Sequence, residues 1–147
     1  MKCEPAAYTI GDLARDGQTS WEGVRNYQSR NFMRDEMQVG DGVLFYHSSA
    51  KPMAVIGTAR IVRESYPDST SWDSAEKHYD PKSTPDESIW LMVDIQADQE
   101  FVRQVTLQEI KQNPRLETML LVRRGMRLSV QPVTKEEWDE VVSLGNG

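Results

Sequence analysis

The sequence predicts a small curved sheet or barrel, decorated by helices, formed by a single domain over residues 1–147. Two observations support this fold class. Three segments in the middle of the chain, 42–48, 53–64 and 89–95, have the aliphatic and aromatic runs that are typical of strands. Signals for helix starts, by contrast, lie mostly early and late in the chain. Because strands and helices do not alternate, the order excludes a parallel α/β fold.

Four helices are predicted, three of them from their capping residues. Thr9, Thr106 and Thr134 are each followed three residues later by an acidic residue. The hydroxyl and the carboxylate can satisfy free backbone N–H groups at a helix N-terminus, so we expect a helix after each threonine. A fourth helix is predicted over 26–37, where an aromatic and two basic side chains share one side.

Three further segments complete the predicted elements. Residues 2–4 are a candidate for a truncated edge strand, and 128–131 for a short strand closed by Pro132. Residues 67–88 are rich in Pro, Ser and Asp, which predicts a long excursion between two strands. A linker between two domains is the alternative, but the flanking segments are too short for two independent cores. Loops of this length are usually functional or mobile, and the sequence leaves open whether this one covers a pocket.

Composition and charge exclude several classes of protein. A hydrophobic fraction of 38% and a charged fraction of 27% are typical of a globular protein rather than a disordered one. No apolar run approaches the roughly 20 residues of a membrane span, so no membrane partner is expected. A net charge of −6 argues against sequence-blind coating of nucleic acid but is compatible with a local basic pocket. Because Cys3 is the single cysteine and the N-terminus lacks an apolar signal stretch, we expect a reduced, cytoplasmic protein.

Catalytic motifs are missing from the sequence. It contains no glycine-rich phosphate loop and no serine in a nucleophile-elbow pattern. The two histidines, His47 and His78, have no partner at metal-ligand spacing, so neither a metal nor a cofactor is predicted. Cys3 and His47 are a conceivable catalytic dyad, although an inert thiol explains Cys3 more simply. The sequence therefore favours a protein without catalytic activity.

The most informative segment is 21–32. Two aromatic residues, two arginines and two asparagines fall within its first eleven positions. Flat aromatic faces combined with amide and guanidinium donors suit a flat, polar ligand such as a nucleobase. The alternative, in which Trp21 and Tyr27 pack in the core and the arginines form a solvated face, stays open at this point.

A second polar and aromatic group follows at 45–48. Strand alternation places Phe45 and His47 on one face and Tyr46 and Ser48 on the other. One face should belong to the core, so either Tyr46 or His47 is a candidate to reach a pocket at the end of the strand. A packed histidine at the rim is the alternative.

Several arginines are candidates for a local positive patch on this acidic protein. Such a patch would position a phosphate backbone without distinguishing bases. Ion pairing with the 23 acidic residues explains the same arginines equally well. The residues concerned are Arg25, Arg30, Arg34, Arg123, Arg124 and Arg127.

These residues lie within motifs that resemble the EVE domain family of the PUA-like superfamily. The resemblance covers essentially the whole chain, in order. One departure is Cys3, where the family has a serine, and a thiol weakens any hydrogen bond made there. The matching motifs are Lys2-Cys3-Glu4-Pro5, Trp21-x-Gly-Val-Arg-Asn-Tyr-x-x-Arg-Asn31, Gly40-Asp41, Phe45-Tyr46-His47-Ser48, Glu64-x-Tyr66-Pro67-Asp68, Tyr79-Asp80-Pro81, Trp90-x-x-Val-Asp94, Arg127-Leu-Ser-Val-Gln-Pro-Val133 and Glu137-Trp138.

The resemblance implies a fold that is mainly β with helices, namely a PUA-like pseudobarrel of five or six strands flanked by short α-helices. It also implies a pocket for a modified base. YTH domains of the same superfamily hold N6-methyladenine in an aromatic cage, and Trp21 matches the cage tryptophan. The other base-pocket residues that the resemblance implies are Lys2, Cys3, Glu4, Asn26, Tyr27, His47, Ser48 and Trp90. In the reader hypothesis, the residues expected to contact the flanking phosphates are Arg25, Arg30 and Arg124.

The expected function is therefore that of a non-catalytic reader, which binds a modified nucleobase, for example a modified cytosine, in DNA or RNA. The alternative is a small-molecule or nucleoside effector-binding module that acts with a nuclease or restriction partner. A hydrolase acting on a modified base is a third hypothesis, for which the sequence offers no convincing pair of base and nucleophile.

Overall fold

The computed structural model describes residues 1–3, 8–126 and 128–147, which form one mixed five-stranded sheet with short helices packed against it. The expected combination of a curved sheet and short flanking helices is confirmed. Three short 3-10 helices also occur within these residues, at Ser69–Ser71, Pro114–Leu116 and Leu120–Val122. The strands are β1 (Lys2–Cys3), β2 (Gln18–Trp21), β3 (Gly42–His47), β4 (Ala54–Pro67) and β5 (Leu91–Thr106), and the α-helices are α1 (Ile10–Asp16), α2 (Tyr27–Asp35), α3 (Leu107–Gln112) and α4 (Lys135–Asn146).

Two long strands, β4 and β5, form the spine of the sheet. Among the described strands, the order is β1-β3-β4-β5-β2, and only the β1–β3 pair is parallel. The antiparallel β4–β5 ladder shifts register at four places along its length. Each shift bends the strands and increases their twist, so the sheet curls without closing.

The buried core lies on both faces of β3. Val43 and Phe45 belong to one apolar cluster, together with residues of α1 and α2. Leu44 and Tyr46 point to the other face and belong to a second cluster, with residues of α3 and α4. The sequence predicted one core face for this strand, but the helices cover both.

The predicted helix starts are confirmed. Thr9, Thr106 and Thr134 each accept a hydrogen bond from the backbone N–H three residues later, and the acidic side chain at that position accepts one in return. These reciprocal bonds satisfy two backbone donors that a helix N-terminus leaves free. The helix predicted over 26–37 is α2, which begins after Asn26 and ends at Asp35.

Three features of the strands differ from the prediction, for the same physical reason. The segment 128–131 forms no strand, although the Ser129 carbonyl accepts a hydrogen bond from the Lys2 N–H at 2.8 Å. The polar residues of β2 were not predicted as a strand, and β5 continues to Thr106 beyond the predicted end at residue 95. Pairing with a neighbouring strand decides these cases, and local apolar patterns do not report it. No helix in the described part of the chain has the length and apolar character to cross a bilayer.

Candidate functional site

A cleft of about 660 Å³ opens between the end of β2, the β1 strand and the excursion that follows β4. Four of the predicted base-pocket residues line it: Trp21, Lys2, Cys3 and Ser48. The structure thus brings together residues from three separate parts of the chain. We call this feature the Trp21 cleft.

Trp21 is shared between the core and the cleft. It is the last residue of β2 and pairs with Val93 of β5. Its ring meets the buried Phe45 ring edge to face, with 5.6 Å between centroids and an interplanar angle of 79°. The indole is nevertheless only half-buried, because part of its surface lines the cleft. Part of the indole surface is therefore open to the cleft on a residue that the sheet holds in place.

The β1 strand supplies a cation and a thiol to the cleft. Lys2 and Cys3 pair in parallel with Tyr46 and His47 of β3. The Lys2 ammonium donates to the Met126 carbonyl at 3.3 Å, and burial lowers its pKa. The Cys3 thiol is buried and donates to a backbone carbonyl. Lys2 is consequently held at the rim, where it can meet an anion.

The excursion 67–88 begins with a carboxylate that ties it to the cleft. Asp68 is fully buried and accepts hydrogen bonds from the Gly23 N–H at 3.0 Å and from Arg25 Nη1 at 2.9 Å. Burial alone would raise the pKa of Asp68, but hydrogen bonds from Thr70, Gly23 and Arg25 outweigh it and lower the pKa. This ionised carboxylate fastens the excursion to the segment that follows Trp21.

Further bonds order the rest of the excursion. The Ser71 and Ser83 hydroxyls are buried and lie 2.9 Å apart, and the Asp80 N–H donates to the Ser71 carbonyl at 2.7 Å. The Asp80 carboxylate accepts from Trp90 Nε1 at 2.7 Å. These bonds hold the excursion against the sheet, and part of it forms one wall of the cleft.

The wall presents Lys77 and His78 to the cleft. His78 packs directly on Gly23, where a Cβ atom would lie 2.7 Å from His78 Cδ2. Gly23 also has a φ of +83°, a conformation that glycine adopts without steric cost. The position thus requires glycine for two independent reasons.

A group of stacked side chains lies next to the cleft but does not line it. The Tyr27 and Trp90 rings stack with centroids 4.8 Å apart. The Arg30 guanidinium lies 4.8 Å from the Tyr27 centroid, and that of Arg25 lies 5.7 Å from the Trp90 centroid. We call Tyr27, Trp90, Arg25 and Arg30 the stacked cluster. Trp90 is buried here, so its ring presents no free face to a ligand.

A second cavity, of about 700 Å³, lies beside β3 and the start of α4. Trp138, Lys135 and Arg60 are among its lining residues. None of the predicted site residues that the structure describes lies there. The Trp21 cleft is therefore the candidate site, although it is slightly smaller.

Comparison with known proteins agrees with this geometry. The family profile of the EVE domain matches residues 1–144. The chain belongs to the EVE domain family. It is 41% identical over 163 residues to thymocyte nuclear protein 1 from mouse, with 98% of this chain and 71% of the mouse protein covered.

Solved structures of relatives carry the same EVE fold. A Pseudomonas putida protein of 46% identity superposes with a TM-score of 0.94, covering 98% of this chain and 96% of that one. The human THYN1 protein, solved in complex with DNA containing 5-methylcytosine, is 39% identical and superposes with a TM-score of 0.92. That match covers 100% of this chain and 96% of the human one.

Three base-pocket residues implied by the EVE resemblance occupy other positions. Asn26 caps α2, and its Oδ1 accepts from the backbone N–H groups of Gln28 and Ser29 at 2.9 and 3.1 Å. Tyr27 and Trp90 belong to the stacked cluster. The polar or flat surfaces that suggested base recognition are used here to start a helix and to pack the excursion.

His47 ends β3 near the cleft without lining it. Its ring lies 5.7 Å from the Phe45 centroid in an edge contact. Its Nε2 is the one buried side-chain nitrogen or oxygen without a hydrogen-bond partner in the described residues. Burial lowers the pKa of the imidazole, which favours the neutral form. Ser48, the next residue, does line the cleft, and Glu4 lies outside the described residues.

Two of the three arginines predicted to contact phosphates are engaged within the protein. Arg25 donates to the His78 carbonyl at 2.7 Å, besides its bond to Asp68. Arg30 donates to the Ile89 carbonyl at 3.1 Å. Arg124 is exposed, two residues before the carbonyl that Lys2 contacts. Arg25 therefore braces the excursion and Arg30 braces the segment that follows it, while Arg124 stays available at the surface.

Several residues that line the cleft were not among the predicted site residues, including Glu22, Gly23, Lys77 and His78. Gly23 carried a usable signal, because a glycine within a run of otherwise large side chains often marks a close approach of backbone. Lys77 and His78 carried none, since they reach the site through the excursion. No cluster of three or more metal-ligating side chains occurs among the residues that the structure describes.

Proposed function

We propose that this protein binds DNA carrying a modified cytosine, with the base rotated out of the stack into the Trp21 cleft. The observation that carries the proposal is the half-buried indole of Trp21, fixed on the sheet and facing a cleft of about 660 Å³ with polar and basic walls. The human relative solved with 5-methylcytosine DNA supports the choice of base and nucleic acid.

Stacking on Trp21 supplies most of the affinity for the base. One stacked base on an aromatic side chain contributes about 1–3 kcal/mol. A buried methyl group adds roughly 0.8 kcal/mol, which is about fourfold in affinity. Methylated and unmodified cytosine therefore differ modestly unless a contact to the base edge also changes.

The charges of the cleft suit a single bound strand rather than general coating of DNA. Lys2 and Lys77 line the cleft, and the exposed Arg124 lies two residues before Met126, whose carbonyl accepts a hydrogen bond from Lys2. These cations would hold the phosphates on either side of the flipped base. The net charge of −6 keeps the affinity for unmodified DNA low.

We assign binding without chemistry to this site. The Cys3 thiol donates to the Tyr8 carbonyl, and His47 Nε2 has no hydrogen-bond partner among the described residues. A working thiol–imidazole dyad needs the two groups within hydrogen-bond reach of each other. The geometry therefore favours a reader over a hydrolase.

Replacing the indole tests the proposal. In Trp21→Ala, affinity for an oligonucleotide with one 5-methylcytosine should fall at least about fivefold, because the stacking surface is lost. Trp72→Ala is the matched control, since Trp72 is also half-buried but does not line the Trp21 cleft. Fluorescence anisotropy gives the affinities, and circular dichroism checks the fold because Trp21 also packs on Phe45.

Trp21→Phe provides a second variant that keeps the edge contact with Phe45. Its affinity should lie between those of the parent and Trp21→Ala, since a smaller ring stacks less area. If a folded Trp21→Ala protein binds the methylated oligonucleotide as tightly as the parent, the Trp21 cleft is not the base-binding site.

Salt dependence separates the proposal from a nucleoside effector module. Binding through phosphates weakens steeply as salt rises, whereas binding of a neutral nucleoside does not. A nucleoside that binds as tightly as the oligonucleotide, with no salt dependence, would favour the effector module and a nuclease or restriction partner. An RNA oligonucleotide of the same sequence tests the choice of DNA.

A further inference from the structure

Glu22 holds a distinctive position in the Trp21 cleft. Among the described residues that line the cleft it is the only acid, and it directly follows Trp21 at the end of β2. Its carboxylate forms no hydrogen bond and no ion pair with a described residue. The other charged groups along the cleft are the cations Lys2 and Lys77.

The surroundings of Glu22 favour a ligand that donates hydrogen bonds. Burial, and then the negative charges of Asp68 and Glu76, raise the pKa of the Glu22 carboxyl, while Arg25 acts in the opposite direction. Glu22 is exposed at the cleft, so a ligand there can reach its carboxylate, and a carboxylate beside like charges gains from an N–H group brought to it. A hydrogen-bond acceptor on the ligand would instead be repelled by the carboxylate.

The edge of a pyrimidine carries this distinction at one position. Cytosine presents an amino group at position 4, which donates, whereas thymine and uracil present a carbonyl oxygen, which accepts. The 5-methyl group cannot distinguish 5-methylcytosine from thymine, because both have it. An ionised carboxylate only accepts hydrogen bonds, so it pairs with the amino group and repels the carbonyl.

We propose that Glu22 accepts a hydrogen bond from the 4-amino group of the base bound beside Trp21, and thereby excludes thymine and uracil from the cleft. The inference rests on the proposed function, since it requires a pyrimidine in the Trp21 cleft. It adds a second criterion, independent of the methyl group, by which the site selects its base.

A four-way comparison of bases tests the two criteria separately. The probes are DNA duplexes with cytosine, 5-methylcytosine, uracil or thymine at one position, each facing an abasic site so that base pairing does not differ. Comparing methylated with unmethylated probes measures the methyl contribution, which belongs to the proposed function. Comparing the two cytosines with uracil and thymine measures the position-4 contribution, which belongs to Glu22.

The decisive variant is Glu22→Gln. Its amide can donate to a carbonyl as well as accept from an amino group, so discrimination at position 4 should collapse. Glu76→Gln is the matched control, since it removes an equal charge near the cleft from a residue that does not line it. Any general gain in DNA affinity from the lost charge appears in both variants.

The parent should bind each cytosine probe at least about fivefold more tightly than its uracil or thymine counterpart. Glu22→Gln should reduce this ratio to below about twofold, and Glu76→Gln should leave it unchanged. A parent without the preference, or a Glu22→Gln protein that keeps it, overturns the inference. A position-4 preference without any preference for the methyl group leaves Glu22 in its role and overturns the proposed function, and a parent that binds none of the probes overturns both.

Discussion

The Trp21 cleft and the stacked cluster are neighbours built from similar residue types, but they differ in how their polar groups are satisfied. In the cleft, the side chains of Glu22, Lys77 and His78 have no hydrogen bond or ion pair with a described residue. In the stacked cluster, Arg25 and Trp90 are bonded to carboxylates of the excursion. Aromatic rings beside arginines therefore do not by themselves mark a binding site, because the same set can close a fold.

The shape of the Trp21 cleft also depends on the stacked cluster. The bonds that satisfy the stacked cluster bring the excursion down onto residues 22–25, and His78 is thereby placed against Gly23. The bonds of the cluster therefore hold one wall of the cleft in place. We expect changes in the cluster to act mainly on stability, and changes in the cleft to act mainly on binding.

The largest effect should come from removing the half-buried Arg25 guanidinium of the cluster. Arg25→Ala leaves the fully buried Asp68 without its guanidinium partner. We expect a loss of about 3 kcal/mol in the free energy of unfolding, because a buried carboxylate that loses its cationic partner is costly even when other hydrogen bonds remain. For a chain of this size that is a fall of roughly 6–12 °C in melting temperature, measurable by calorimetry.

Arg34→Ala serves as the control, since Arg34 pairs with Asp35 at the surface and should leave the melting temperature unchanged. An Arg25→Ala protein of parental stability whose DNA binding shows a smaller salt slope would contradict this role. It would return Arg25 to the phosphate contact predicted from the sequence.

A smaller effect, divided between stability and binding, is expected for Gly23→Ala. The positive φ should cost about 1–2 kcal/mol, and the new Cβ should displace His78 from the cleft wall. Gly17→Ala is matched to it, with a φ of +79° but no atom within 4 Å of the added Cβ. Urea unfolding should show a loss of stability in both variants, and a larger one in Gly23→Ala, because its added Cβ also meets His78.

Affinity for the methylated oligonucleotide separates the two glycine variants. It should fall in Gly23→Ala alone, because only that substitution moves a residue of the cleft. Equal affinities in the two variants would mean that His78 does not shape the site.

The smallest effect is expected for Tyr27→Ala. The Tyr27 ring is 55% exposed and stacks on Trp90 outside the cleft. Affinity for the methylated oligonucleotide should stay within about twofold of the parent, since contacts at a distance from the ligand contribute little. A loss as large as that of Trp21→Ala, measured in the same anisotropy assay, would restore Tyr27 to the base pocket and erase the distinction between the two regions.

Local chemistry made some elements predictable from the sequence. The helices after Thr9, Thr106 and Thr134 follow from bonds between residues three apart, which the chain forms wherever those residue types occur. The strand β2 and the second half of β5 were missed because they are polar and become strands only by pairing with their neighbours.

The residues of the candidate site show the same difference between what local sequence predicts and what the fold decides. Trp21 and Gly23 stand in one short motif, and the sequence singled that motif out. Asn26 and Tyr27 lie in the same motif, yet the start of α2 turns them away from the cleft. Once a helix begins, successive side chains point in different directions, so closeness in sequence no longer means closeness in the site.

By itself, the sequence determined the helix starts, the main strands and the family resemblance, because each depends on residues within a few positions or on a motif preserved in order. Only the tertiary structure decided which side chains share the cleft, since the excursion returns Lys77 and His78 to the end of β2 through the buried Asp68 carboxylate. Such long-range bonds form between groups whose spacing in the chain is unconstrained. The sequence pattern therefore does not indicate which distant groups will form them.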